Sequence, residues 1–548
     1  MKKITKILLI ILISLSFSIK NIKAEEIPKV YFEGNIENMT SKKDERKIKL
    51  TYVSKNLNFE SYTLIKIQGS SSLAYDKKNY NIKLYQDKDY KNKKKVNVGF
   101  GDQYKYCLKA NWVDKTHARN IVTARITSKI QDKYNLFTNT PNNGLIDGFP
   151  VEIYINNEFL GIYTWNIPKD DWMFNMDENN PNHIVLSGYS YSNATYFKDY
   201  ATFEDWEVEA GPETEETLTK LNRVIEFVFK SSDEEFKNNF QNYFNLDATL
   251  NYFIMLNTGE LLDNISKNFL LVTYDGKIWY PSLYDLDTSW GTTWNGKDTY
   301  EYDKSLIQHA ELSLLWTKFE RNFNNEIANR YFELRKDILT KENILKEFTS
   351  FINGIPASSF EKENNRWKNI PGRDLNQITD FINTRIPIVD EYMNSLYDES
   401  PKINIDYSST TLTIKPVKVT LTPNRNDIKI LKDGKILNNT YIFKENGEYT
   451  FEYQDWDGNT LGTITIKVDW IINNKITTIS LLLLLITLIV IIIAYQKPTI
   501  IKEKNSKNSK NTNNNKLTKN NKTNKKSSKN NKKKKKKKSY TKKSNKKV

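Results

Sequence analysis

From Ile476 to Tyr495 the chain runs for twenty residues without a charge, and most of them are Leu or Ile. At about 1.5 Å per residue a helix of that length reaches across a hydrocarbon core of about 30 Å. Leu481 to Leu485 and Ile486 surround the helix axis completely and leave no polar face for water. The segment 476–495 predicts a transmembrane helix, and the rest of the chain divides around it.

The flanks of that run set its orientation. Lys475 alone stands before it, whereas 22 lysines and one acid, Glu503, follow Gln496, with seven lysines in a row from Lys532 to Lys538. Lysine-rich flanks stay in the cytosol. Residues 496–548 are expected to form a disordered cytoplasmic tail, since they hold too few apolar residues to fold. At the other end Lys2, Lys3 and Lys6 precede an apolar stretch from Ile7 to Ile19, and Ala24 stands at a cleavage position, which reads as a signal peptide over 1–24. Both signals predict a single-pass cell-membrane protein with its large N-terminal region outside.

The formal net charge of +16 therefore averages over compartments that never meet. Without the five lysines of 1–24 and without the tail, the outer region holds 55 basic and 65 acidic residues, a net of about −10. That balance takes nucleic acid off the list of partners expected for the outer region. Cys107 is the only cysteine, so no intrachain disulfide can form and a hydrophobic core must hold the region together. His117, His183 and His309 stand far apart, and no zinc site is expected.

Alternating apolar and polar residues predict strands at Lys47–Val53, Tyr62–Ile67 and Tyr80–Leu84, then a helix near Thr116–Ile130. Strands resume at 149–155 and 159–164, joined by an Asn156-Asn157 hairpin turn. The middle is helical, with Leu218, Leu221, Ile225 and Val228 in one stripe and Ser232 with Glu235 placed as a capping box. A hairpin from Asn268 to Pro281 and a long helical stretch, Ser305 to about Leu396, complete the first region. After Pro401 the pattern changes to short β-runs at 402–406, 411–414, 428–430, 441–443, 449–453 and 463–468. These read as a small Ig-like sandwich serving as a stalk. The expected fold class is α+β, organised as a 25–400 domain, a 401–471 β-sandwich and the membrane helix.

Nothing matches a Walker loop, a dinucleotide turn, a serine-hydrolase elbow or a metalloprotease helix. The informative segment is Glu260-Leu-Leu-Asp263-Asn-Ile-Ser-Lys-Asn268, then a hairpin, then Tyr284-Asp285-Leu-Asp287. An Asp with an Asn five residues on can present a base and a metal ligand from one loop, and a second Asp can hold Mg²⁺ against phosphates. The Asp-x-Asp spacing fits an Asx-turn or a Ca²⁺ loop as well.

The blocks Ile65–Ser72, Lys77–Leu84, Leu108–Asn120 and Val151–Tyr163, the acidic segment, Arg366-Trp367 and Arg385 together resemble the CotH-type kinase family over roughly residues 28–397. The resemblance implies an atypical kinase-like α+β fold that binds ATP with Mg²⁺ or Mn²⁺ and transfers the γ-phosphate to Ser/Thr of exported or spore-coat proteins. Carried across, Asp263 matches the catalytic-loop aspartate, Asn268 the metal-binding asparagine, and Asp287 the metal aspartate, with Asp285 beside it. Lys78 and Lys83 match a basic strand facing the phosphates. Arg119 matches an arginine that is either structural or phosphate-side, and Gln68 stands at the nucleotide where the family often has Arg. No glutamate follows Gly161-Ile-Tyr163 closely, because Asn166-Ile-Pro-Lys169 intervenes, so the site lysine is expected to lack its usual acidic partner. The rival expectation is a catalytically silent adhesin or envelope-organising protein on the same fold.

Overall fold

The computed structural model describes residues 26–69, 71–297, 312–368, 373–472 and 474–495. The signal peptide expected over 1–24 and the tail expected over 496–548 lie outside the described residues.

The first element is a closed barrel. Its strands are β1 Lys29–Glu33, β2 Glu45–Val53, β3 Asn58–Gln68, β4 Asn79–Tyr85, β5 Lys105–Lys109, β6 Gly148–Ile155 and β7 Glu158–Asn166. They pair in the order β1-β2-β3-β4-β5-β7-β6, and a parallel β1–β6 pair closes the ring. The period-2 alternation explains why it forms: Ile65, Ile67, Ile82, Leu84, Leu108, Val151, Ile153 and Trp165 all point inward and are fully or almost fully buried. The β6–β7 hairpin turns on Asn156 and Asn157 at φ 48° and 71°, the pair of left-handed residues that a type I′ turn requires.

Alternation also fixes what the outer face carries. Lys66 pairs with Asn81, Asn81 with Cys107, and Cys107 with Asn166, so one row crosses four strands on the side away from the barrel core.

A second, four-stranded antiparallel sheet follows: β8 Ile184–Gly188, β9 Trp206–Ala210, β10 Phe269–Thr273 and β11 Tyr280–Leu283, in the order β9-β8-β10-β11. Helices pack around it through one apolar cluster that includes Trp206, Phe253, Phe269 and Trp316. Among them are α1 Arg119–Lys133, α2 Glu215–Lys230, α3 Asp233–Asn239 and α4 Leu246–Thr258. The capping box at the start of α3 is present, with Ser232 Oγ accepting from Glu235 N at 3.2 Å and Ser232 N donating to the Glu235 carboxylate at 2.9 Å. The helical stretch expected from Ser305 is divided. It comprises Leu314–Asn322, Asn324–Leu334, Lys341–Asn353, Ala357–Arg366 and Asn376–Ser395, and its first residues, 305–311, lie outside the described set.

One buried ion pair ties the barrel to these helices. Lys77 Nζ meets Glu363 Oε1 at 2.6 Å, both side chains fully buried, and also donates to the carbonyls of Ala110 and Ile162. Glu363 Oε2 accepts from Ile162 N at 2.7 Å. Gly161 leaves the necessary room, because a Cβ there would lie 2.7 Å from Lys77 Cε.

Residues 403–468 carry two antiparallel sheets. Ile403–Tyr407, Val417–Pro423 and Thr440–Phe443 make one, and Lys435–Ile436, Lys429–Lys432, Gly447–Gln454 and Thr460–Val468 the other. They share a core of Val419, Leu421, Phe443, Phe451 and Val468. The run 411–414 is not a strand, and Val417–Pro423, which sequence patterning missed, is one. Nor is the region a free stalk. Arg425 donates to Asn394 and lies over the Tyr397 ring, Asn426 Nδ2 donates to Asn329 O at 3.0 Å, and Trp456 packs 5.8 Å from Phe332.

Taken separately, Asn474–Tyr495 is one helix whose stretch Thr478–Tyr495 is long and apolar enough to cross a membrane. Thr487 Oγ1 donates back to Leu483 O, so the hydroxyl is satisfied within its own helix.

Two predictions follow from this packing. Lys77→Met should lower the free energy of unfolding in denaturant by about 3–5 kcal/mol, because it strands a buried carboxylate. The double change Lys77→Met/Glu363→Leu should recover a large part of that loss. Cys107 is buried, its Sγ sits 3.0 Å from Asn81 Oδ1, and burial pushes its pKa up to about 12. A thiol-specific reagent should therefore label the native protein negligibly at pH 8 and one thiol per chain after denaturation.

Candidate active site

The outer barrel row and the second sheet face each other across a cleft of about 380 Å³. One wall carries Lys66, Gln68, Asn81 and Lys109; the other carries Asp263, Lys267, Asn268, Asp285 and Asp287. Lys42, Lys169, Glu207 and Glu209 complete the charged lining.

The loop that presents Asp263 is held by a buried asparagine. Asn264 Nδ2 donates to Asn268 O at 3.2 Å and to Tyr284 O at 2.8 Å, so a single amide spans both acidic segments. Tyr252 Oη donates to Asn264 O at 2.6 Å, Trp316 Nε1 to Ile265 O at 3.0 Å, and Asn268 N to Gly188 O at 3.0 Å. Gly188 permits this approach: a Cβ there would lie 2.0 Å from Ser266 O. Glu260, Asn268, Asp285 and Trp290 all sit at φ between 52° and 59°, so four non-glycine left-handed residues cluster in the two loops. Asn and Asp accept that conformation most readily, which explains those residue types at the two bends.

The second loop is fastened to the start of α1. Asn120 Oδ1 accepts from Leu286 N at 3.0 Å, Ser289 Oγ donates to Leu286 O at 2.7 Å, and Trp290 Nε1 donates to Thr123 Oγ1 at 2.8 Å. Arg119 Nε donates to Ser289 O at 2.9 Å, while its Nη1 meets Asp114 Oδ1 at 2.5 Å. Arg119 is thus buried behind the loop and is not among the residues that line the cleft.

Lys78 and Lys83 also stand away from the cleft, contrary to expectation. Lys78 Nζ donates to Leu73 O and Tyr75 O and closes the turn before β4. Lys83 lies on the face of Asn81 but two residues farther along the strand, opposite Lys105. The lysine that does face the acidic loop is Lys109, whose Nζ lies 3.0 Å from Asp285 Oδ1. Its block was read from the sequence, but its role was not; the signal was strand alternation, which turns Lys109 outward when Leu108 turns in. Around the segment that follows Gly161-Ile-Tyr163, other lysines have acidic partners. Lys169 pairs with Glu209, and Lys105 meets Asp170 at 3.0 Å. Gln68 does line the cleft, donating from Nε2 to Tyr284 Oη at 3.2 Å.

Electrostatics separates the two aspartates. Burial would raise the Asp285 carboxyl, but the Lys109 ammonium overrides it and holds the group below the usual range. Burial also pushes Asp287 up, and the charge of Asp285 adds to it, to about 8. Lys109 is held above its ordinary value by Asp285 in spite of its burial. Tyr191 Oη donates to Asp263 Oδ1.

Among the described residues no cluster of three or more His, Cys, Asp or Glu side chains gathers around a point. Of the groups lining the cleft, Asp285 and Asp287 present two carboxylates and Asn268 a side-chain amide. That donor set fits Mg²⁺ or Mn²⁺, which take hard oxygen ligands and leave several positions to water and phosphate.

No curated protein matches the chain. The family model described as CotH kinase protein matches residues 65–389, which is more than half of the chain and includes Gln68, Lys109, Asp263, Asn268, Asp285 and Asp287. On that match the chain belongs to the CotH kinase protein family.

Proposed function

We propose that this chain is a membrane-anchored, outward-facing atypical protein kinase that transfers the ATP γ-phosphate to Ser/Thr of exported or spore-coat proteins. The observation that carries the reading is the convergence of Asp263, Asn268, Asp285 and Asp287 in one cleft with Lys109 across from them.

In this reading Asp263 takes the proton of the acceptor hydroxyl. Asn268, Asp285 and Asp287 are the groups that would hold Mg²⁺ or Mn²⁺, which when bound neutralises the charge of the phosphates. Lys109 is held charged by Asp285 and offers its remaining donors to phosphate oxygens, a task shared by Lys66, Lys169 and Lys267 along the lining. Gln68 takes the place of a fixed positive charge with a neutral amide, and the lysines supply the attraction in its stead. The 401–471 region is read as an Ig-like module docked on the kinase helices. The 476–495 helix is read as the anchor, with the lysine-rich tail inside the cell.

The test is transfer of labelled phosphate by the purified outer region to a casein-like or coat-protein substrate with Mg²⁺ or Mn²⁺. Asp263→Asn should lower the rate by about 10²–10⁴-fold, the usual worth of a general base, and spare ATP binding. Asp287→Asn should weaken ATP binding with Mn²⁺ by at least about tenfold, or about 1.4 kcal/mol, in calorimetry. EDTA should abolish that binding in the parent. Equal affinity with and without metal would contradict the assignment of Asp287, and absence of both transfer and any nucleotide-induced rise in melting temperature would favour the silent adhesin.

A further inference from the structure

Tyr191 stands where an acceptor hydroxyl has to stand. Its Oη donates to Asp263 Oδ1, and among the described residues it is the hydroxyl that meets this carboxylate. A general base acts on a proton within hydrogen-bond reach, and Tyr191 meets that condition from within the same chain. Its surroundings hold it there. Tyr189 N donates to Asp205 O at 2.8 Å, Ser192 N to Thr195 Oγ1 at 3.0 Å, and Thr195 Oγ1 to Ser190 O at 2.8 Å, so the loop is pinned on both sides of Tyr191. The ring is about half exposed, at 54%. Lys267, in the same loop as Asp263, lies 5.9 Å from the ring centroid.

We infer that Tyr191 is a phosphate acceptor for the chain's own cleft, modified within the same molecule. The inference rests on the kinase reading above. In the step, Tyr191 Oη attacks the γ-phosphorus of ATP and its proton passes to Asp263. The bond from that phosphorus to the β–γ bridging oxygen breaks, and ADP leaves. A tethered acceptor needs no encounter with a second protein, so this transfer precedes any other. The product carries nearly two negative charges beside the Asp263 carboxylate, while Lys267 offers a cation over the ring, 5.9 Å from its centroid. Repulsion from Asp263 and attraction to Lys267 therefore move the modified ring off the base, and Asp263 is opened to hydroxyls from outside.

The experiment incubates the purified full chain in detergent micelles with ATP and Mn²⁺, with and without casein, and maps phosphate by mass spectrometry. The expected result is phosphate on Tyr191 of the parent, approaching one per chain, at a rate per molecule that does not change on dilution, and its loss in Tyr191→Phe. Phosphorylated casein with unmodified Tyr191 overturns the inference and leaves the kinase reading standing. So does phosphate on Ser190 or Ser192 in place of Tyr191, or a rate that falls on dilution. Absence of phosphate from both casein and the chain overturns the kinase reading, and the inference falls with it.

Discussion

Lys109 and Asp285 face each other across the cleft at 3.0 Å, and the charge of each outweighs the effect of burial on the other, holding the carboxyl low and the ammonium high. Burial penalises each charged form, Lys109 more than Asp285, whose side chain keeps 31% of its surface open to water. The pair therefore requires the barrel, which supplies Lys109, and the acidic turn, which supplies Asp285, to be brought together accurately. Asn120 and Asn264 provide that accuracy by binding the main chain of the turn from behind. The rest of the site depends on this arrangement, because Asp287 is carried on the same turn and Asn268 on the loop that Asn264 holds beside it.

The charge pattern has a chemical consequence. Asp285 is satisfied by Lys109, whereas Asp287 has carboxylate neighbours and is pushed up to about 8. Two aspartates of one turn thus occupy opposite electrostatic situations, one paired with an ammonium and one beside other carboxylates. A divalent ion shared with a polyphosphate would answer the second and would let acidic and phosphate groups occupy one cleft without repulsion.

Much of this was legible in the sequence. The barrel strands at Tyr62–Ile67 and Tyr80–Leu84 were visible because a buried strand face imposes strict alternation, and the capping box at Ser232 because its partners are three residues apart. Asp263, Asn268, Asp285 and Asp287, which line one cleft, stood out through their spacing and the family resemblance. The errors concern long-range placement. Lys78 and Lys83 are basic and near the right strand, but one is spent on a turn and the other is displaced along the strand, and neither fact has a local signature. Lys109 depends on register across β4, β5 and β7, and Glu363 reaches Lys77 from 286 residues away. The docking of the 403–468 sheets through Arg425, Asn426 and Trp456 is likewise invisible to a pattern that sees only short strands and turns.

The most direct test of the central claim is a crystal structure of the outer region grown with Mn²⁺ and a non-hydrolysable ATP analogue, with the manganese located by its anomalous scattering. The account predicts manganese in direct contact with Asp287 and Asn268, bridging to the analogue's phosphates, with Lys109 beside a phosphate oxygen. Nucleotide bound outside this cleft, or phosphates in the cleft with no manganese at Asp287, would contradict it.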